Sequence, residues 1–467
     1  MPTDDVQTPA SELRHFLDIE ALKEWLEQQR WYASKSRRVS SIEIDESAVL
    51  SEGPMLLLAL VQAIFATGQH ELYQLPLGFR HAREEANGEW IAVVEGWGVY
   101  DALTEPEHAR LLLRRIDACE DLETPEGCLR FRRADAPLVV SEPAEVRPIG
   151  VEQSNTSLVF GSDLVLKVFR RLEPGTNPEL EILRFLTARE FSHIAPLRGW
   201  YEYEGRSFAA TLGIAQEFLP DATDGWELAL DRIASDPGGF LELLGALGTV
   251  TAEMHSVLAS DSNDAAFVPE EPSNEALSLL TATIDEEIER IFVRLPDDER
   301  LAPIAGRGQD VRERLAQRSS LSAGGHVIRT HGDFHLGQTL YTPRGWVIID
   351  FEGEPARPLP ERRQKRSPLR DVAGMLRSFA YATSALEILR GQPAPPDFEQ
   401  RARDTFMQHY FESIDATLLP GGAAAVANLL SIFELEKAIY ELQYEINNRP
   451  DWVTIPVAGI LRMLEST

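Results

Sequence analysis

Two apolar stretches separated by a polar loop constrain this chain more than any other feature. Val327-Ile328 leads into Thr330-His331-Gly332-Asp333-Phe334-His335-Leu336-Gly337-Gln338, and Trp346-Val347-Ile348-Ile349 then delivers Asp350-Phe351-Glu352. This order predicts a loop pinned between short strands, with one carboxylate inside the loop and a second closing the next strand. Asp333 suits a proton acceptor for a sugar or alcohol hydroxyl. Gln338 and Asp350 suit oxygen ligands for magnesium held against nucleotide phosphates. His331 is expected to brace the loop by hydrogen bonds. The same residues admit another chemistry: His331, Asp333, His335 and Asp350 are all metal-ligand types, as in a zinc or iron hydrolase.

The upstream sequence favours phosphate transfer. Glu152-Gln153-Ser154-Asn155-Thr156-Ser157 reads as a polar turn, and Gly161-Ser162-Asp163 turns the chain into the apolar run Leu164-Val165-Leu166-Lys167-Val168-Phe169. Such a strand–turn–strand unit can cover a nucleotide, with backbone N–H groups and small hydroxyls facing phosphate and Lys167 reaching the α- and β-phosphates. No G-x-G-x-x-G accompanies it. The following helix is expected over 179–190, with Asn177 as cap and Pro178 at its first position. Glu181 near its start is the expected partner of Lys167, and Glu179 competes for that role. Gln216-Glu217-Phe218, ending an apolar run before Leu219-Pro220, could offer backbone groups to a purine edge.

Length and charge narrow the remaining classes. With 467 residues, two to four domains are expected. The formal charge of -30 disfavours nucleic acid and anionic membrane as partners. The longest apolar run, 54–61, is too short for a bilayer span, and Met1 to Leu17 has no apolar signal core. Cys119 and Cys128 cannot form a disulfide framework, so a soluble cytoplasmic chain is expected. We read three segments. Residues 1–90 hold a helix over 16–29 against an antiparallel sheet. Residues 91–218 complete the nucleotide-covering part, and 219–467 are mostly helical. His255 falls on an apolar helix over 240–258, as a satisfied core histidine would. Between 355 and 370, Arg357, Arg362, Arg363, Lys365, Arg366 and Arg370 face only Glu361 in sequence. This basic island in an acidic chain either attracts a substrate anion or clamps acidic neighbours.

The loop's wording resembles a family. His331 to Gln338, Asp350-Phe351-Glu352-Gly353-Glu354-Pro355 and the run Ser367 to Phe379 are similar to the bacterial maltokinases, of the aminoglycoside-phosphotransferase-like kinases. The similarity resumes at 436–441 and 449–452, and Trp31-Tyr32-Ala33-Ser34-Lys35 resembles the start of that family's N-terminal cap. The resemblance implies an α+β, bilobal, eukaryotic-kinase-like fold with a cap subdomain. It implies ATP- and magnesium-dependent phosphorylation of maltose at its anomeric hydroxyl, feeding α-glucan synthesis, and a trehalose-isomerising enzyme as a partner. Asp333 carries over as base, Gln338 and Asp350 as magnesium ligands, and Lys167 with Glu181 as the phosphate pair. The glutamine at 338 departs from the asparagine of the wider kinase group but matches the maltokinase pattern. The family's sugar pocket lies beside the catalytic loop, where Lys437, Tyr440, Glu441 and Tyr444 fall on one helix face. A glucosamine kinase and a non-catalytic pseudokinase scaffold are the alternative functions.

Overall fold

The computed structural model describes residues 16–32, 34–84, 89–135, 137–138, 145–149, 154–319 and 324–465. The chain divides into two compact units, Met1–Glu181 with Ala195–Pro220, and Ile182–Ile194 with Asp221–Thr467.

In the first unit, α1 (Ile19–Gln28) is started by Asp18, whose carboxylate accepts from the N–H groups of Glu20 and Ala21 at 3.1 Å. Strands β1 (Val39–Glu52), β2 (Met55–Phe65) and β3 (His70–His81) follow as an antiparallel meander, extended by β4 (Ala92–Val94) and β5 (Trp97–Asp101) in the order β1-β2-β3-β5-β4. Leu22 and Leu26 of α1 pack with Trp31, Tyr32, Leu57, Val61 and Tyr73 into one apolar core, which holds the helix on this sheet. The sheet therefore runs past the expected boundary at 90 to Asp101.

After α2 (Pro106–Ala118) come β6 (Asp121–Glu123), β7 (Gly127–Arg133), β8 (Val146–Pro148), β9 (Asn155–Phe160) and β10 (Leu164–Phe169). Then follow β11 (Arg171–Leu172), α3 (Pro178–Ala188), β12 (Leu197–Gly205) and β13 (Ala209–Glu217). The second sheet has the order β6-β7-β12-β13-β10-β9-β8, while β11 leaves it to pair with β3. Arg170 marks this crossing from one sheet to the other. Its guanidinium, 1% exposed, donates to Thr156 Oγ1 at 2.8 Å and Asp101 Oδ2 at 2.6 Å. It also lies 4.9 Å from the Trp31 ring centroid. Burying a guanidinium is tolerable only with such partners, so the N-terminal sheet directly buttresses the end of β10.

The second unit contains a small sheet, β14 (Thr223–Asp224), β15 (Thr339–Thr342) and β16 (Gly345–Ile348), among helices. These are α4 (Gly225–Ser235), α5 (Pro237–Leu258), α6 (Asn274–Phe292), α7 (Gly308–Ser319) and α8 (Leu359–Arg362). They continue with α9 (Leu369–Arg390), α10 (Phe398–Ser413), α11 (Ala423–Asn448) and α12 (Thr454–Glu465). Helix α9 is buried on every side over Leu369–Ala380 and so forms the shelf beneath the polar loop. Ile284, Ile288, Val311, Ile439, Leu442 and Ile460 belong to a second core joining α6, α7, α11 and α12. No helix among the described residues is long and apolar enough to cross a membrane.

Candidate active site

The loop between Ile328 and β15 is tied down mainly through its backbone. Asp371, on the first turn of α9 and 1% exposed, accepts from His331 N at 2.7 Å and His255 Nε2 at 3.1 Å through Oδ2. Its Oδ1 accepts from Gly332 N at 2.9 Å. His255 in turn takes the Tyr410 hydroxyl on Nδ1 at 3.0 Å. Burial pushes the Asp371 carboxyl up, but the His255 contact and the loop N–H groups outweigh it and hold the group below its ordinary value. His255 is thus a satisfied core histidine that also completes the support beneath the polar loop.

The side chain of His331 is equally committed. Its Nε2 donates to the Ile349 carbonyl at 2.9 Å, so Nδ1 is left as the acceptor facing Asp333 N at 3.4 Å. Phe334 and Phe351 flank the ring, with centroids 5.3 and 4.9 Å away. His331 therefore positions the loop and has no nitrogen to spare for proton transfer or metal, which removes it from the catalytic set. Among the described residues, His331, Asp333 and His335 do not come together as a group that could hold a metal ion.

Two glycines make the path possible. Gly332 adopts a φ of +87°, open to glycine without strain. Gly374 of α9 passes beneath the loop so closely that a Cβ there would lie 2.6 Å from the Phe334 carbonyl oxygen. Asp333 emerges with Oδ1 3.4 Å from Lys437 Nζ and Oδ2 4.0 Å from His335 Nε2. After β16, Asp350 is held at a φ of +63°, uncommon for a residue with a side chain. Gln338 Nε2 donates to its Oδ2 at 3.1 Å, so the two expected magnesium ligands do meet.

In the first unit, Lys167 and Ser157 are directly paired across β10 and β9. The Lys167 ammonium meets Glu179 Oε2 at 2.8 Å, so the competing candidate, two residues before Glu181, forms an ion pair with it. Asn177 caps the helix as expected, accepting from Glu179 N at 2.8 Å. Asn155, Thr156 and Ser157 belong to β9 and not to a turn; Asn155 and Ser157 are buried, and Thr156 Oγ1 is taken by Arg170. Ser154 is exposed beside the strand, and Glu152 and Gln153 lie outside the described residues. Gln216 donates to the Ala195 carbonyl at 3.2 Å, and Glu217 pairs with Arg198. The N–H groups of Glu217 and Phe218 donate to Pro196 O and Asp163 O at 3.0 and 2.9 Å, so a purine edge could not use those two donors.

Comparison with known proteins identifies the domains of the chain. Residues 25–104 match the maltokinase N-terminal cap domain, and residues 145–353 match the phosphotransferase enzyme family. The chain joins a maltokinase-type cap to a phosphotransferase-family kinase domain. A glucosamine kinase of Mycolicibacterium smegmatis (strain ATCC 700084 / mc(2)155) is 28% identical over 334 residues, 68% of this chain and 79% of its own length. One from Streptacidiphilus jiangxiensis is 26% identical, over 68% of this chain and 73% of that protein. A solved glucosamine kinase in complex with glucosamine, ADP and inorganic phosphate superposes with a TM-score of 0.70 at 21% identity, over 95% of this chain and 99% of that one. The last likeness establishes the fold.

In this kinase, the expected sugar face on α11 is more varied than its spacing implies. Tyr440 and Tyr444 are 52% and 44% exposed. Glu441 is gripped by Arg377 through Nε and Nη2 at 3.0 and 2.6 Å, so its carboxylate serves a structural ion pair. Lys437 is mostly buried between Asp333 and Glu354. Burial would lower the ammonium's pKa, but those two carboxylates raise it above its ordinary value. Burial likewise pushes Glu354 up, yet Lys437, Arg370 and Arg357 bring it down to about 2. Sequence reasoning missed Asp371, Glu354 and Glu436. The basic island signalled the last two, because Arg357 reaches both and Arg370 meets Glu436 at 2.8 Å.

Proposed function

We propose that this kinase transfers the γ-phosphoryl group of ATP to the anomeric hydroxyl of maltose, giving maltose 1-phosphate for α-glucan synthesis. The observation that carries the choice of sugar is the charge balance around Asp333. Glu354 is occupied by Lys437 and Arg357, Glu436 by Arg357 and Arg370, and Glu441 by Arg377. Lys437 stands against Asp333 itself. These carboxylates already have resident cations, and a protonated amine on the acceptor would meet the Lys437 ammonium. A neutral sugar avoids that repulsion and can lay its C–H faces on the exposed Tyr440 and Tyr444 rings.

The reaction then follows from the loop. The anomeric oxygen attacks the γ-phosphorus, its proton passes to Asp333, and the bond to the β–γ bridging oxygen breaks, leaving ADP. Lys437 Nζ, 3.4 Å from Asp333 Oδ1, orients the carboxylate that accepts the proton. Lys167, oriented by Glu179, serves the α- and β-phosphates. Asp350 and Gln338 fit a hard divalent cation, since a carboxylate and an amide side by side offer oxygen ligands once the amide presents Oε1. When bound, magnesium would screen the charge on the phosphates. Because Gln338 also serves Asp350 as a hydrogen-bond donor, it has a role in shaping the site without metal.

Glucosamine kinase is the second reading, favoured by the names of the two bacterial relatives. Steady-state kcat/KM for maltose, glucosamine, glucose and trehalose with ATP separates the two. Turnover of maltose well above glucosamine is expected; efficient glucosamine turnover without maltose turnover would overturn the maltose reading. The same reading keeps ATP and maltose as ligands, a cytoplasmic location and a trehalose-isomerising enzyme as pathway partner.

A further inference from the structure

The basic segment after the second site carboxylate is not wholly spent on its neighbours. Arg357 and Arg370 pair with Glu354 and Glu436, and Lys365 pairs with Glu270. Arg366 is different. Among the described residues its guanidinium has no carboxylate within ion-pair distance, and its one hydrogen bond runs from Nη2 to the neutral Gln364 Oε1 at 2.5 Å. Glu436, the acidic group placed to help, already accepts from Arg357 and Arg370 through Oε1. Partial burial, with the nearby Arg370 and Arg357, presses Arg366 below its ordinary pKa and outweighs the opposing pull of Glu436 and Glu361.

Arg366 and Arg370 line an open cleft whose other walls include Leu277 and Leu280 of α6 and Leu429 and Phe433 of α11. Cations together with aliphatic and aromatic side chains in one cleft match an anionic head carried on an apolar chain. We propose that this cleft binds a small amphipathic anion, a phosphate or carboxylate head on a short apolar tail, and that Arg370 couples its occupancy to the active site.

The coupling is a chain of contacts within one unit. Arg370 Nη2 lies 2.8 Å from Glu436 Oε1 and 3.9 Å from Glu354 Oε1. Glu354 holds Lys437, which lies 3.4 Å from Asp333. A ligand head that draws Arg370 toward the cleft weakens its hold on Glu354 and shifts Lys437 relative to the base. Binding at this cleft does not depend on which sugar is phosphorylated.

Calorimetric titration of the full-length protein with hexyl phosphate, hexanoate, hexanol and inorganic phosphate tests it. Saturable binding of hexyl phosphate or hexanoate is expected, with the stronger of the two identifying the head group, and with hexanol and inorganic phosphate at least 10-fold weaker. Arg366→Gln should weaken that binding at least 10-fold without altering basal kcat, and Arg366→Lys should restore part of it. Saturating ligand should also change the wild-type kcat. No saturable binding, binding indifferent to Arg366→Gln, or equal binding of hexanol would overturn the site. Binding that leaves kcat unmoved would overturn the coupling through Arg370.

Discussion

Replacing Asp371 with asparagine isolates the support beneath the catalytic loop. The amide is nearly isosteric, so packing on α9 is kept while the acceptor set changes. With its oxygen where Oδ2 stands, the introduced amide can still accept from His331 N and His255, which donate to Asp371 at 2.7 and 3.1 Å. Its NH2 group then meets Gly332 N–H, which in the wild type donates to Oδ1 at 2.9 Å. Losing one charge-assisted bond costs roughly 1.5–3 kcal/mol, and the buried orphan N–H adds roughly 1–3 kcal/mol. The expected loss is about 3–5 kcal/mol, the range for breaking a buried ionic contact. Urea unfolding at pH 7 reads this directly. Because the folded-state pKa of Asp371 is depressed, its stabilisation is present above the unfolded carboxyl value of about 3.9 and vanishes as pH falls through the folded value. The gap between wild type and variant should therefore close in acid. Misplacing the base by about 1 Å should also lower kcat on the order of 10²-fold. A stability loss under ~1 kcal/mol together with wild-type kcat would refute the reasoning.

Three further outcomes are expected. Asp333→Asn removes the proton acceptor at almost constant volume, so kcat should fall about 10²–10⁴-fold while ATP binding, followed by calorimetry, is retained; near-wild-type turnover would remove Asp333 from the role of base. Gly374→Ala puts a Cβ 2.6 Å from the Phe334 carbonyl oxygen and should lower kcat and the unfolding temperature together, whereas an unchanged kinase would mean that the loop can lift freely. His108 is fully buried against the Tyr100 hydroxyl at 2.9 Å, and burial pulls its pKa down to about 4. The unfolded state then takes up a proton below about 6.5 and the folded state does not, so stability should drop by about 2 kcal/mol between pH 7 and pH 5. His108→Gln should lack most of that drop in urea titrations at the two pH values.

The two site carboxylates were legible because a polar loop between apolar strands leaves few places for them. Lys167 was legible too, since a lysine in an apolar strand needs a reason. Its partner was not. Glu179 and Glu181 both begin α3, and at about 100° per residue they point some 200° apart. Which one faces β10 is set by how Leu180, Ile182 and Leu183 bury themselves, information that lies in packing and not in spacing. The polar turn was drawn too long for a similar reason. Asn155 and Ser157 look like turn residues, but their neighbours Val159 and Phe160 commit the segment to the ladder with β10. Asp371 lay in plain view within an apolar helix, yet its function depends on backbone N–H groups 39 and 40 residues earlier in the chain. On α11, four residues share a helix face, but Lys437 and Glu441 find ion-pair partners on other elements while the two tyrosines remain exposed.

Phosphoryl transfer from ATP to the anomeric hydroxyl of maltose is tested most directly by the position of phosphate in the product. Phosphorus-31 NMR of the material formed from maltose, with proton-coupled detection of the carbon that bears the phosphate, reads that position. A single phosphomonoester coupled to the anomeric proton of the reducing glucose unit is expected, formed by wild type and not by Asp333→Asn. Phosphate on any other hydroxyl, or no sugar phosphate from maltose while glucosamine is phosphorylated, would contradict it.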